Sequence, residues 1–194
     1  MKTSNSSKTE LSVYTPVEIS FAKQSSRFAR TVCSLSKLAQ ELLLMAIGTI
    51  NTFPTKKECY VEFSIQDFLH AFNKENFPTA QMHKQIFNAV MNELCRVICY
   101  ENLEKYLDGG IEKYRGHAYT LFANADVDTG RNIKLTFNKE ALGNIQEIKP
   151  YEIIEFEKAA KLKSRHAFNI YKYALSKQGF SGKSGNKEKS WWLN

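Results

Sequence analysis

One change of rhythm limits what this chain can become. In AQMHKQIFNAVMNELCRV, residues 80–97, the apolar residues Met82, Ile86, Ala89, Val90, Leu94 and Val97 recur every third or fourth position. From VICYENL onward, at residue 97, the helical spacing stops and the chain reads as strand, with a period of 2. A period near 3.6 makes one face of a helix apolar, and a period of 2 does the same for a strand. The sequence therefore predicts helix followed by sheet within one chain, an α+β protein.

The flanking segments give the order of elements. Leu35, Leu38, Ala39, Leu42, Met45, Ala46, Thr49 and Ile50 follow the helical pattern, with Ser34 or Ser36 as the N-cap and Pro54 as the stop. YVEFS, residues 60–64, alternates as a short strand. Ser64 with Asp67 has capping-box spacing and opens a second helix to about Phe72. NKENFPT is a turn, and Thr79 is expected to cap the third helix. Beyond it, VICYENL reads as a strand and DGG at 108–110 as a break. HAYTLFANADVD and RNIKLTFN flank Thr129-Gly130 as a hairpin. A short helix near Ala141–Ile145 precedes Pro150, and PYEIIEFEKAAKLKSRHAFNIYKYALSKQ reads as one or two helices. Three helices followed by a β-hairpin, with an added C-terminal helix, is the winged-helix arrangement. It places the third helix where it can enter a major groove, with the hairpin as the wing.

Several classes of function lack support. The longest apolar run, Leu42 to Ile47, is far too short to span a bilayer. The opening MKTSNSSKTELS has no apolar signal region, and residues 1–27 read as a flexible lead-in, so a cytoplasmic protein is expected. Cys33, Cys59, Cys95 and Cys99 have no Cys-x-x-Cys spacing. Cys95 and Cys99 are one helical turn apart, but no histidine stands in ligand spacing, so buried thiols are expected and no metal. No phosphate loop, nucleophile elbow or zinc helix is present, and no cofactor is implied. Asp126 and Asp128 could share a face, but at a hairpin tip they read as turn residues. An enzyme is not expected.

Charge is more informative. The net charge is +7, and residues 158–194 hold nine Lys or Arg and one Glu, so the excess lies in the last fifth of the chain. A localised positive field suits a polyanion. Opposite the apolar stripe of the third helix stand Gln81, Gln85, Asn88, Asn92 and Arg96, with Lys84 nearby. Asn and Gln can pair with adenine, and Arg with guanine, in a major groove. The same stripe could be the wet face of an amphipathic helix or meet a protein partner. In LKSRHAFNIYKYAL, residues 162–175, Phe168, Tyr171, Ala174 and Leu175 project to a core side. Arg165, Asn169, Lys172 and Ser176 project to the opposite side, joined by Lys161 if the helix continues upstream. If Ser164 caps a fresh helix, Arg165 and His166 fall in its first turn. Positive charge is disfavoured there unless an anion binds.

This segment resembles the Leu-Lys-Ser-x-Tyr/His-x-x-x-Leu/Ile-Tyr stretch of the plasmid replication initiator (Rep) proteins, a family with tandem winged-helix domains. SLSKLAQELLLMAIGTIN resembles that family's first helix, VEFSIQDFLHAFN its strand and second helix, QIFNAVMNEL its third helix, and IKLTFNKEALGNI the strand before the Leu-Lys-Ser element. The likeness covers roughly residues 28–178 and rests on the collinearity of loose motifs. It implies the N-terminal winged helix of an initiator that binds double-stranded DNA at repeated origin sites, the iterons. It also implies a homodimer and host replication proteins as partners. A second winged helix would begin just after Trp191-Trp192, with 179–194 as a basic loop leading to it. On this reading Lys161, Lys163, Arg165 and Lys172 neutralise phosphates, while Gln85, Asn88, Asn92 and Arg96 contact bases or groove. Two other functions fit the same elements: a dimerisation module that leaves DNA to another domain, and a winged-helix transcription regulator.

Overall fold

The computed structural model describes residues 19–25, 34–52, 59–77, 79–146 and 151–181. Its centre is helix α1, Lys37–Thr52, in which every residue from Ala39 to Ile50 is buried. The sequence pattern predicts one apolar face, yet Leu43, Leu44 and Ile47 between the periodic positions are also apolar and buried, so α1 is covered on all sides. Ser36 caps it: Ala39 N–H donates to Ser36 Oγ at 3.2 Å. Pro54, the expected stop, lies outside the described residues.

Burying α1 completely requires close neighbours. A Cβ on Gly48 would lie 2.8 Å from the carbonyl oxygen of Phe21 and 2.9 Å from the ring of Phe156. Phe21–Ser25 is strand β1, and it pairs antiparallel with β7, Tyr151–Glu155, with Ala22 opposite Ile154. Both facing residues are fully buried. The expected flexible lead-in of residues 1–27, of which 1–18 and 26–27 lie outside the described residues, is thus corrected at residues 21–25, which form a strand with Ala22 fully buried. Its partner YEIIE is equally a strand rather than the start of a helix. Ile153 is exposed while Ile154 is buried, the alternation of a strand with one covered face.

Strand β2, Tyr60–Ser64, runs into helix α2, Ile65–Ala71, with Ser64 Oγ accepting from Asp67 N–H at 3.0 Å, the cap that the spacing predicts. Helix α3 begins at Thr79, which is its first helical residue. It runs as α-helix to Asn88, continues through a π turn at Ala89–Glu93, and ends in a 3₁₀ turn at Leu94–Arg96.

Two hairpins follow. The first pairs β3, Ile98–Asp108, with β4, Ile111–Thr120, across Gly109-Gly110. The φ angles of +59° and +81° there are those of a two-residue primed turn, which only glycine adopts at no cost. The second pairs β5, Phe122–Val127, with β6, Asn132–Phe137, and β2 adds to β6 to give a sheet ordered β2-β6-β5. Residues 117–128, expected as one strand, are therefore divided. At buried Leu121 the backbone N–H donates to Val97 O at 2.9 Å, and its carbonyl accepts from Asn138 at 3.0 Å, so the chain crosses there from one sheet to the other. Asp128 makes the expected turn, accepting from Gly130 N–H at 3.0 Å, whereas Asp126 sits in β5 opposite Lys134.

Helix α4, Lys139–Gln146, and helix α5, Phe156–Lys161, precede the long helix α6, Arg165–Ser181. The helix is interrupted at residues 162–164, and Ser164 Oγ accepts from Ala167 N–H at 3.2 Å, so α6 is a freshly capped helix. Residues 179–181 belong to α6, and 182–194 lie outside the described residues. Among the described residues no helix is long and apolar enough to cross a membrane. Cys95 and Cys99 do not share a helix: the first is in the 3₁₀ turn and the second, buried, is in β3.

Candidate nucleic-acid interface

The outer face of α3 gathers the amide stripe as expected. Gln81, Gln85, Asn88, Asn92 and Arg96 are all exposed, and so is Lys84, while Met82, Ile86, Ala89, Val90 and Leu94 face inward. The stripe is internally linked. Asn92 Nδ2 donates to Asn88 Oδ1 at 3.3 Å, and an Arg96 guanidinium N–H reaches Asn92 Oδ1 at 3.5 Å. These long bonds align three side chains along the helix and leave Asn88 Nδ2, and further N–H groups of Asn92 and Arg96, for another acceptor.

The π turn positions this end of the stripe, and sequence reasoning missed its anchor. Glu93 Oε2 accepts from Ser36 N–H at 2.6 Å, and Oε1 accepts from Ser36 Oγ at 2.8 Å. The carboxylate thus sits at the N-terminus of α1, where the helix dipole favours negative charge. Glu93 is the one acidic residue in 79–96, a signal that could have marked it as a structural tie. π turns concentrate at functional sites because the extra residue re-aims side chains without ending the helix.

The basic segment divides. Lys163, Arg165 and His166 are exposed, the latter two in the first turn of α6. Arg165 Nη1 donates to Ser34 O at 3.2 Å, so Arg165 and Glu93 hold opposite ends of the same short segment, 34–36. Lys161 pairs with Glu157 at 2.6 Å and Lys158 with Glu155 at 2.7 Å. The hydrogen bond from Lys161 holds the Glu157 carboxyl below the usual range, and the bond to Glu155 raises the ammonium of Lys158. Both cations remain exposed, each beside a carboxylate.

Lys172 needs correcting. It is only 3% exposed, and its Nζ donates to Gln40 Oε1 at 2.7 Å inside the protein. Phe168, Tyr171 and Leu175 pack on the core as expected, but Ala174 is exposed and Lys172 takes a buried place on that face. A lysine can occupy such a face because its methylene stem is apolar and its ammonium reaches a polar tip. Gln40 in turn donates to Leu35 O at 3.0 Å, and Lys37 and Lys74 meet the buried Glu41 at 2.9 and 3.1 Å. These contacts fix the N-terminal half of α1 and leave Lys172 no phosphate to reach.

Comparison with known proteins places this arrangement. A search of curated proteins gives no match. One family model, described as Initiator Replication protein, WH1, matches residues 22–175, which spans β1 to the middle of α6. That start agrees with β1 as part of the domain, and that end takes in the Leu-Lys-Ser segment. The chain belongs to the replication-initiator family, as its WH1 domain.

Proposed function

We propose that the chain is a winged-helix DNA-binding unit of a plasmid replication initiator that recognises repeated origin sites, the iterons. The observation that carries this is the exposed, linked row Asn88–Asn92–Arg96 on α3 of a replication-initiator domain. The order α1, β2, α2, α3, then the β5–β6 hairpin folded onto β2, supports the winged-helix reading. In this function α3 enters the major groove, where Gln85, Asn88, Asn92 and Arg96 meet base edges and Lys84 a phosphate. Lys163 and Arg165 bind phosphates beside it, with Lys161 contributing once released from Glu157. The work is binding and recruitment in the cytoplasm, including of host replication proteins, with neither catalysis nor cofactor.

The test is affinity for origin duplex as a function of salt, for the wild type and for Lys163→Ala/Arg165→Ala. Each lost phosphate contact lowers the slope of log affinity against log salt by about one unit. An unchanged slope removes these residues from the interface.

A second reading has its own observation. The β3–β4 hairpin exposes Tyr100, Tyr106, Leu107, Ile111 and Tyr114. Such a surface suits self-association, and we infer that the chain forms homodimers through it. Sedimentation with and without DNA separates the roles: a dimer indifferent to DNA favours an interaction module.

A further inference from the structure

We infer that the reading face of α3 is built for A·T-rich duplex, with Phe87 and Met91 contacting thymine methyl groups beside the amides of Asn88 and Asn92. This rests on the proposed DNA-reading role of α3 and specifies its target. Phe87 and Met91 are 44% and 38% exposed, although both are large and apolar. They lie four residues apart, so they are neighbours along the helix. On an α-helix of about 100° per residue, Lys84, Phe87 and Asn88 fall within about 100° of one another, and Met91 is exposed in the π turn that follows Asn88. The apolar pair is thus continuous with the amide row.

Three features of this face select the occupant. First, it is free of negative charge, because Glu93 is turned into Ser36 by two hydrogen bonds. Secondly, cations stand toward its two ends, Lys84 and Arg96, which matches a polyanion better than an apolar protein groove. Thirdly, its central polar groups are amides. Asn offers the acceptor and donor that match adenine N6 and N7, whereas guanine calls for Arg or Lys. The partner of adenine is thymine, whose C5 methyl takes apolar contact in the same groove. Four α-helical residues rise about 6 Å, and the π turn at 89–93 shortens that span, so Phe87 and Met91 stand within about two base steps of roughly 3.4 Å each and can meet neighbouring methyls.

The experiment measures binding of the full chain to equal-length duplexes: A·T-rich, G·C-rich, and the A·T-rich sequence with uracil in place of thymine. Uracil removes the methyl and keeps every hydrogen-bonding group, so this arm is independent of how any variant folds. The A·T-rich duplex should bind about tenfold or more tightly than the G·C-rich one. Uracil should weaken binding about three- to fourfold for each contacted methyl. Phe87→Ala/Met91→Ala should abolish the uracil effect and keep the salt slope. Equal affinity for all three duplexes with a steep salt slope overturns the inference and leaves DNA binding standing. Loss of all salt-dependent binding to any duplex overturns the DNA reading itself. A double variant that alters self-association while keeping the uracil effect assigns the apolar pair to a protein interface and also overturns the inference.

Discussion

The two hairpins of this protein are built to opposite plans. In β5–β6, Ile133, Leu135 and Phe137 face the core, the rings of Phe122 and Phe137 lie 4.7 Å apart, and β2 pairs with the outer edge of β6. Slipping this register by one residue would turn the whole buried set to water, so packing enforces it. In β3–β4 the cross-strand register puts Leu107 with Glu112 and Lys105 with Tyr114 on one face, and Tyr106 with Lys113 on the other. All six are exposed. What holds the outer half of that hairpin is local: the Gly109-Gly110 turn, the pairs Lys105–Glu112 at 2.5 Å, Lys113–Asp108 and Arg115–Glu104, and Arg115 over the Tyr106 ring. Exposed ion pairs contribute little, so this arm should open more readily than the sheet it projects from. One hairpin serves stability, and the other offers surface.

Mutations can break that contrast. Leu135→Ala, at a fully buried position in β6, should cost about 2–5 kcal/mol in urea unfolding through lost transfer energy and a cavity. A cost below that range would mean that the β2-β6-β5 sheet is not the rigid one. Gly110→Ala should strain the β3–β4 turn at positive φ by roughly 1–2 kcal/mol. Its signature is faster hydrogen exchange confined to 98–120, with the amides of β6 unchanged; a uniform change would show that the two hairpins open together. Tyr114→Ala should leave stability within about 0.5 kcal/mol, because the ring is 71% exposed. The same variant should weaken self-association in sedimentation, and no change there would remove the hairpin from the dimer surface. Smallest of all, Arg115→Gln should shift melting barely, and less still in high salt, since its partner Glu104 is half exposed.

The contrast also explains what could be read before the structure. Elements whose signal is local were legible: the caps Ser36, Ser64 and Ser164, and the turn at Asp128, are each set by residues three or fewer positions away. The amide stripe of α3 was legible because helical spacing places it without outside help. Failures arose where distant segments decide. Strand β1 looks like a polar tail until YEIIE lies beside it. Lys172 looks like a surface cation until Gln40, 132 residues away, meets its ammonium. The outer part of the β3–β4 hairpin hid behind a turn read as a break, because beyond Leu103 its exposed residues lack the clean alternation that burial on one face imprints. Glu93 followed no periodic rule, since its role depends on Ser36 and on one extra residue in a turn.

The pairing of β1 with β7 has a consequence for how the protein is made. The two strands are separated by about 130 residues, and both Phe21 and Phe156 press on α1 at Gly48. At synthesis rates of about 5–20 residues per second, β1 waits roughly 6–26 s for its partner to be translated. During that interval helix α1, buried from Ala39 to Ile50 in the folded protein, has emerged but lacks two of the surfaces that will cover it. Folding of this domain is therefore timed by its last third, and a nascent chain stalled before residue 151 presents α1 to chaperones rather than a finished core.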